Sequence, residues 1–331
     1  MFVPNMGCKA RCVFCDQRVF SRPAMPEDIP ALVENFLARC SSPSSRRRVL
    51  AFYGGTFTGI EADLLRRYLD VTRDLVEKGV VHAAKASTRP DMVDEEKLGL
   101  LVDSGFEELE IGCQSLDDPV LEASGRGHTV KDVVEACRLV RGFGLRLGIQ
   151  LMPGLPSEDL ASFVTTVKRS AALKPHAARI YPTVVMAGTR LEGLYRTGAY
   201  TPLTLGQAVR MTLYAVAVLE RQGCTILRMG LPDPGAQNVV AGPYHPSLGF
   251  LVRSEAYRVM AGLALSRHGG GARLVVNPRS LCELLGPGRA NARELTFAYG
   301  CDDTLPVGTL RVEAGTDRAC IQLQDILEYI L

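Results

Sequence analysis

The order of apolar runs along this chain predicts an α/β fold, a partial (β/α) barrel followed by a small C-terminal α+β unit. Three observations carry that expectation. Short strand-like runs alternate with longer runs of helical period from the first residues to about Leu231, which is the pattern of parallel βαβ units. Glycine-containing segments close successive strand runs, at the end where a (β/α) barrel assembles its site. Beyond Leu231 the texture changes to a Pro/Gly-rich loop, a long helical run and a set of shorter elements, which marks a second unit.

Strands are expected at 49–53, 80–86, 108–113, 146–152, 178–182 and 225–229, each an apolar or β-branched run between turn residues. Helices are expected between them at 30–39, 62–78, 94–103, 130–143, 160–173 and 205–222, where apolar residues recur at helical spacing. An initial strand at 2–4 completes six or seven units. It is short for a barrel strand, and Met1 lies one residue before it, so the natural start is expected upstream or the chain opens inside the strand. A helix at 247–267 and the tract Gly269, Gly270, Gly271 then divide the chain into 1–249 as the partial barrel, 250–270 as connecting helix and glycine linker, and 271–331 as the small α+β domain.

Composition narrows the classes. The chain has 331 residues, 47% of them hydrophobic, enough for one large core with a smaller companion. No apolar run reaches the roughly eighteen residues of a membrane span, and Pro4, Asn5 and Gly7 interrupt any leader pattern, so a cytoplasmic protein without membrane contact is expected. The formal net charge of +2 creates no whole-molecule attraction for nucleic acid. A local patch remains open: Arg46, Arg47 and Arg48 follow a Ser/Pro loop at 41–45, which reads as a solvated loop or as an RNA contact. Seven of the ten cysteines are scattered and read as buried thiols.

The other three, Cys8, Cys12 and Cys15, form a C-x3-C-x2-C run. Thiolates are the natural ligands of iron–sulfur clusters. A compact loop can set three sulfurs on three irons of a cube and leave the fourth iron uncovered, where a chelating ligand such as S-adenosylmethionine can bind. A structural zinc ion and inert core thiols are the alternatives. Zinc normally takes four protein ligands, and the next Cys or His residues are as far along the chain as Cys40 and His82.

With Phe2-Val3-Pro4-Asn5-Met6-Gly7 before the cysteines and Val13-Phe14-Cys15-Asp16-Gln17 at their end, the segment resembles the opening of radical S-adenosylmethionine proteins. The similarity is to the branch shared by the Elongator catalytic subunit and oxygen-independent coproporphyrinogen oxidase, and it covers roughly Met1 to Gly249. Five motifs in order on successive strand ends make it specific at the level of the superfamily. The resemblance implies a TIM-like partial barrel of the radical SAM type, a 4Fe–4S cluster on Cys8, Cys12 and Cys15, S-adenosyl-L-methionine as cofactor, and a reductant such as ferredoxin or flavodoxin.

It also implies cofactor contacts from Phe14, from Gly54, Gly55 and Thr56 toward the amino group, from Gln114, from Arg126 near the carboxylate, and from Gln150 on the fifth strand. Ser87 stands before Thr88-Arg89-Pro90-Asp91 where the branch carries a ribose-binding glutamate, so that contact lacks charge assistance. His128 reads as an exposed loop residue and Arg126, alternatively, as half of a surface ion pair.

The substrate is less legible. The chain leaves no room for the acetyltransferase domain of full-length Elongator subunits, and the cysteine spacing is shorter than theirs. The tail predicts the order βααββα: a strand at 272–276, helices at 279–285 and 290–297, strands at 309–313 and 319–324, and a helix at 325–331. That order, with Gly286-Pro287-Gly288-Arg289 between the helices, resembles a KH RNA-binding module whose second loop glycine is replaced by Arg289. Arg289 and Arg293 are then the expected phosphate contacts, and RNA or tRNA modification the expected function. A radical enzyme of small metabolites, and a non-catalytic RNA-binding or assembly protein with a structural metal, stand as alternatives. The loop Gly242-Pro243-Tyr244-His245-Pro246 is a candidate substrate element, or else His245 braces its turn.

Overall fold

The computed structural model describes residues 1–15, 22–40, 47–233, 235–268 and 271–331. Its main sheet has six strands, all parallel, in the order β1-β2-β3-β4-β5-β7. In chain order α1 is Ile29–Ala38, β1 Val49–Phe52, α2 Ala62–Glu77, β2 Ala83–Thr88, α3 Glu95–Asp103 and β3 Phe106–Gln114. There follow α4 Asp118–Ala123, α5 Val130–Gly142, β4 Arg146–Leu151, α6 Leu160–Ala172, β5 Ala177–Ile180, β6 Val185–Met186, α7 Arg190–Arg196, α8 Leu205–Arg221, β7 Thr225–Met229 and β8 Val239–Ala241. Sequence-adjacent strands lie side by side with helices between them, so the sheet curls into the expected partial barrel. β6 and β8 pair apart from it, antiparallel. Among the described residues no helix is long and apolar enough to cross a membrane.

The last part is the expected α+β unit. The helix α9, Leu248–His268, leads to β9 Arg273–Val276, α10 Leu281–Leu285, α11 Ala290–Leu295, β10 Ala298–Cys301, β11 Thr309–Ala314 and β12 Asp317–Gln322. A four-stranded sheet results, in the order β10-β9-β11-β12. The expected order gains one strand: β10 pairs parallel with β9 and is too short and too glycine-interrupted to show alternation. The chain ends in a 3-10 turn, Leu323–Tyr329, where a helix was expected.

Two barrel expectations shift for local reasons. The strand expected at 80–86 begins at Ala83, because the amides of Val80 and Val81 donate back to the Leu75 carbonyl and finish α2. The initial strand at 2–4 shrinks to one bridge between Phe2 and Tyr53. Gly269, Gly270, Pro234, the loop 41–46 and Asp16-Gln17 lie outside the described residues.

The feature of the core that positions the site is an aromatic cluster at the end of β1. Phe52 and Phe57 stack at 4.6 Å between ring centroids, and both meet Tyr68 of α2 and Phe106 of β3. All four are buried. They clamp both ends of the turn 53–57 before any ligand is considered. Phe57→Ala is expected to cost about 3–5 kcal/mol, read as a lower urea midpoint at unchanged slope.

Candidate functional site

The amino-terminal loop docks on the turn that follows β1. Val3 donates to the Tyr53 carbonyl (2.8 Å), Asn5 to Gly54 (2.9 Å), and Thr56 donates back to Met6 (2.8 Å). The approach is closer than a side chain permits. A Cβ on Gly7, whose φ is +73°, would stand 2.3 Å from the Thr56 carbonyl oxygen, and one on Gly55 would stand 2.6 Å from the carbonyls of Met6 and Val3. Glycine at these positions therefore serves the docking of the cysteine loop itself.

Each of the three thiols meets a different polar group. The Cys8 Sγ lies 3.2 Å from the Thr56 hydroxyl, and the Cys15 Sγ 3.8 Å from the Asn5 amide oxygen. The Cys12 Sγ accepts from Arg126 Nη1 at 3.2 Å. Between them, Val13 donates to Ser124 (3.0 Å) and accepts from Leu191 (2.8 Å), which pins the loop to the end of α4 and the first turn of α7. Among the described residues no three His, Cys, Asp or Glu side chains converge on a single-ion point. Three thiols on one short loop match the three protein ligands of a cluster that leaves one iron open, and fall one short of the four of a structural zinc site. The buried Asn5 Nδ2 and Arg126 Nε have no hydrogen-bond partner, donors free for an anionic group beside the loop. The residues fit a 4Fe–4S cluster and its sulfonium ligand.

The other expected contacts line the same end of the sheet. The Arg126 Nη2 donates to the Gly112 carbonyl at 2.7 Å. Gln150 donates to Gln114 across β3 and β4 at 3.0 Å, while Ile149 and Leu151 are buried on the opposite face. Ser87 faces Glu110 in the β2–β3 register. Phe14 packs between two apolar clusters, Val13, Val185, Leu191 and Tyr200 on one side and Val120, Met152 and Leu155 on the other.

Arg126 makes no ion pair among the described residues and is 6% exposed, against the surface pair weighed from sequence. His128 also departs from expectation. It is buried, neither ring nitrogen has a partner, and burial, with Arg126 and Arg89 beside it, pushes its pKa down to about 3. The cause is that residues 125–127 fold against the cysteine loop, near Ala10, Arg11 and Val13. Arg89 is buried there too, chelated by Asp91 at 3.0 and 2.9 Å.

Sequence reasoning missed the charges on the inner face of the sheet. Glu108 pairs with Lys85 and Arg146 of the flanking strands. Glu110 pairs with Arg179 (3.1 Å), whose guanidinium lies 4.2 Å over the Tyr53 ring. Burial pushes the Glu110 carboxyl up to about 7 against the pull of Arg179. The signal was present as glutamates two positions apart, Glu108 and Glu110, which alternation puts on one face of the strand.

Elsewhere the outcomes are simpler. Arg289 is exposed, in a left-handed conformation (φ 64°), and donates to the Tyr299 hydroxyl at 2.6 Å; Arg293 is exposed one turn away. His245 accepts from the Ser247 amide and braces its turn, and Tyr244 donates to Asp233. Arg47 pairs with Glu107 and Arg48 donates to the Gly79 carbonyl.

Comparison with known proteins bears on the chain as far as residue 258. The family profile described as Radical SAM superfamily matches residues 2–169, and that described as Radical_SAM C-terminal domain matches 175–258. An uncharacterized protein of Methanocaldococcus jannaschii is 29% identical over 215 residues, 64% of this chain and 63% of that protein. The tRNA uridine(34) acetyltransferase of the same organism is 27% identical over 192 residues, 52% of this chain and 36% of that protein. The solved structure of archaeal Elp3 from Methanocaldococcus infernus, with its N-terminus deleted, matches at a TM-score of 0.59 and 26% identity. That match covers 72% of this chain and 58% of the other. The chain therefore spans between about a third and just under two thirds of the relatives it matches.

A buried carboxylic acid supports the loop after β4. The Gly154 amide donates to Glu158 Oε2 at 2.6 Å, while Oε1 is buried without a partner. Burial pushes the Glu158 carboxyl up to about 8 from an ordinary 4.5. The native state then holds a proton that the unfolded chain has released, so this contribution is full below the ordinary value and is lost as pH rises through the native one. Glu158→Gln keeps the acceptor for Gly154 and removes the titration. Wild type is expected to lose on the order of 1–3 kcal/mol more than this variant between about pH 5 and about pH 8.5 in urea unfolding.

Proposed function

The chain belongs to the radical SAM superfamily, and from that premise we propose that it is an enzyme acting on tRNA through a 4Fe–4S cluster held by Cys8, Cys12 and Cys15. The family's cofactors are a 4Fe–4S cluster and S-adenosylmethionine. The observation that carries the assignment of residues is the docked cysteine loop, with each thiol against a separate polar group at the C-terminal end of a parallel sheet. Held by Cys8, Cys12 and Cys15, the cluster would supply one-electron reduction of bound S-adenosylmethionine.

The chain's own residues bind, orient and exclude water. Gln114, Arg126 and Gln150 offer hydrogen-bonding groups on the inner face, where a cofactor's carboxylate and ribose find partners. Phe14 gives an apolar wall. Ser87 offers a neutral hydroxyl in place of a carboxylate. One electron must come from a reductant of the ferredoxin or flavodoxin class.

A tRNA substrate is supported by the relatives, two of which bear names tied to tRNA uridine(34) acetylation or to Elp3. Acetyl transfer is not carried over, since this chain spans only 36% of the named acetyltransferase. The exposed Arg289 and Arg293 are the proposed phosphate contacts.

Three experiments test this reading. Anaerobically reconstituted protein is expected to bind about four irons per chain and to release 5′-deoxyadenosine on reduction, and Cys12→Ser to lose both. Mass spectrometry of tRNA nucleosides from cells with and without the gene should reveal a missing modification; an unchanged profile beside an altered metabolite would shift the substrate to a small molecule. In a binding assay, Arg289→Glu is expected to weaken tRNA binding by roughly tenfold at low salt, with the effect shrinking as salt rises. Equal binding by variant and wild type removes the C-terminal unit from the interface.

A further inference from the structure

Arg126 places a guanidinium against a thiol, and among the described residues no acid balances it. Its Nη1 donates to the Cys12 Sγ at 3.2 Å, while Nη2 is fixed on the Gly112 carbonyl at 2.7 Å, so the fork cannot swing away without losing a second bond. Both partners are buried, Arg126 to 6% and Cys12 to 9% exposure. In that setting a charge-assisted hydrogen bond is little screened. Arg89 is a useful contrast: equally buried and close by, it is neutralised by the bidentate grip of Asp91. Arg126 has no such carboxylate among the described residues, and its Nε is left without a partner. A buried, unpaired cation is costly unless an anion meets it, and the group it touches is a sulfur that becomes a thiolate when it binds iron.

We propose that Arg126 is a positioning residue for the redox poise of the cluster, its N–H···S bond and unbalanced charge raising the potential at which the cluster takes its electron. The step is a one-electron transfer: a donor of the ferredoxin or flavodoxin class is oxidised, and the cluster gains one negative charge with no bond made or broken in the protein. Hydrogen bonds to the sulfurs and local charge are among the factors that set such potentials. A positive charge with a donor on one ligand sulfur favours the more negative, reduced state. The role differs from contact with the cofactor's carboxylate, because it acts when no S-adenosylmethionine is present. It rests on the reading that Cys12 is a cluster ligand.

The test is a potentiometric titration of the anaerobically reconstituted full chain without S-adenosylmethionine, with the reduced cluster followed by electron paramagnetic resonance. Arg126→Gln keeps an N–H donor and removes the charge; Arg126→Lys keeps the charge and removes the fork. Both are expected to hold wild-type iron and sulfide and to show a lower midpoint potential, with the larger fall in Arg126→Gln. A fully loaded Arg126→Gln protein with the wild-type potential overturns the proposal and leaves the cluster assignment standing. Failure of the wild-type chain to bind iron and sulfide overturns the assignment and the proposal together. If neither variant loads, wild-type protein grown with 15N-guanidino arginine decides the matter. Nitrogen coupling to the reduced cluster in pulsed measurements is expected, and its absence overturns the proposal.

Discussion

Residues 3–8 and the turn after β1 share backbone hydrogen bonds so close that neither Gly7 nor Gly55 has room for a Cβ. The position of the thiols follows from that contact. The turn is fixed from beneath by Phe52 and Phe57, which are locked against Tyr68 and Phe106, and a buried bond between Thr58 and Thr88 (2.6 Å) ties it to the end of β2. The cysteine loop therefore inherits its placement from the hydrophobic core through a rigid turn, and Val13 adds a second anchor at Ser124. A reactive centre held in this way depends little on the intrinsic preference of its own loop, which contains Asn5 at a positive φ and would not hold that shape alone.

The inner face of the sheet is organised by charge where a closed (β/α) barrel is filled by branched apolar side chains. Glu108 and Glu110 are both buried on β3. Isolated carboxylates there would lose more in desolvation than they gain, and each is offset by cations from other strands of the sheet: Glu108 by Lys85 of β2 and Arg146 of β4, Glu110 by Arg179 of β5. Burial nevertheless dominates at Glu110, whose carboxyl rises to about 7 despite Arg179. Such a floor gives little stability compared with apolar filling. Its retention in a half-barrel suits a polar ligand held from one side, with a few polar groups fixing its orientation.

How much of this was legible in the sequence depended on whether the informative residues were close together along the chain. Cys8, Cys12 and Cys15 lie within one short run, and the glycines of the β1 turn sit where an apolar run stops, so both could be read directly. Alternation placed Gln150 on the inner face, and its bond to Gln114 lies there. The contacts that escaped were long-range. Glu110 finds Arg179 69 positions away, and Arg126 finds Cys12 114 positions away; no periodicity encodes such pairs. His128 was misread because loop composition suggests exposure, whereas the chain folds residues 125–127 onto the cysteine loop and buries the histidine beside them. The strand β10 was invisible because four residues with an internal glycine carry no usable pattern.

The charges on the inner face are also sorted along its depth. Carboxylates sit lower, at Glu108 and Glu110, each with a cation in contact. At the end that carries the cysteine loop stand Arg89 and Arg126 beside a neutral histidine, with Arg126 Nε and Arg89 Nη1 buried and unpartnered. The chain alone thus holds more positive charge at that end than it balances among the described residues. A folded protein tolerates such an imbalance where an anion completes the site, and two kinds of anion fit: thiolates carrying metal, and a carboxylate of a small ligand. An excess of this kind favours a bound anion, since each added negative charge meets donors already oriented in a medium that screens weakly. On the proposed reading, binding and reduction draw on one electrostatic arrangement, and a change in the local charge moves both.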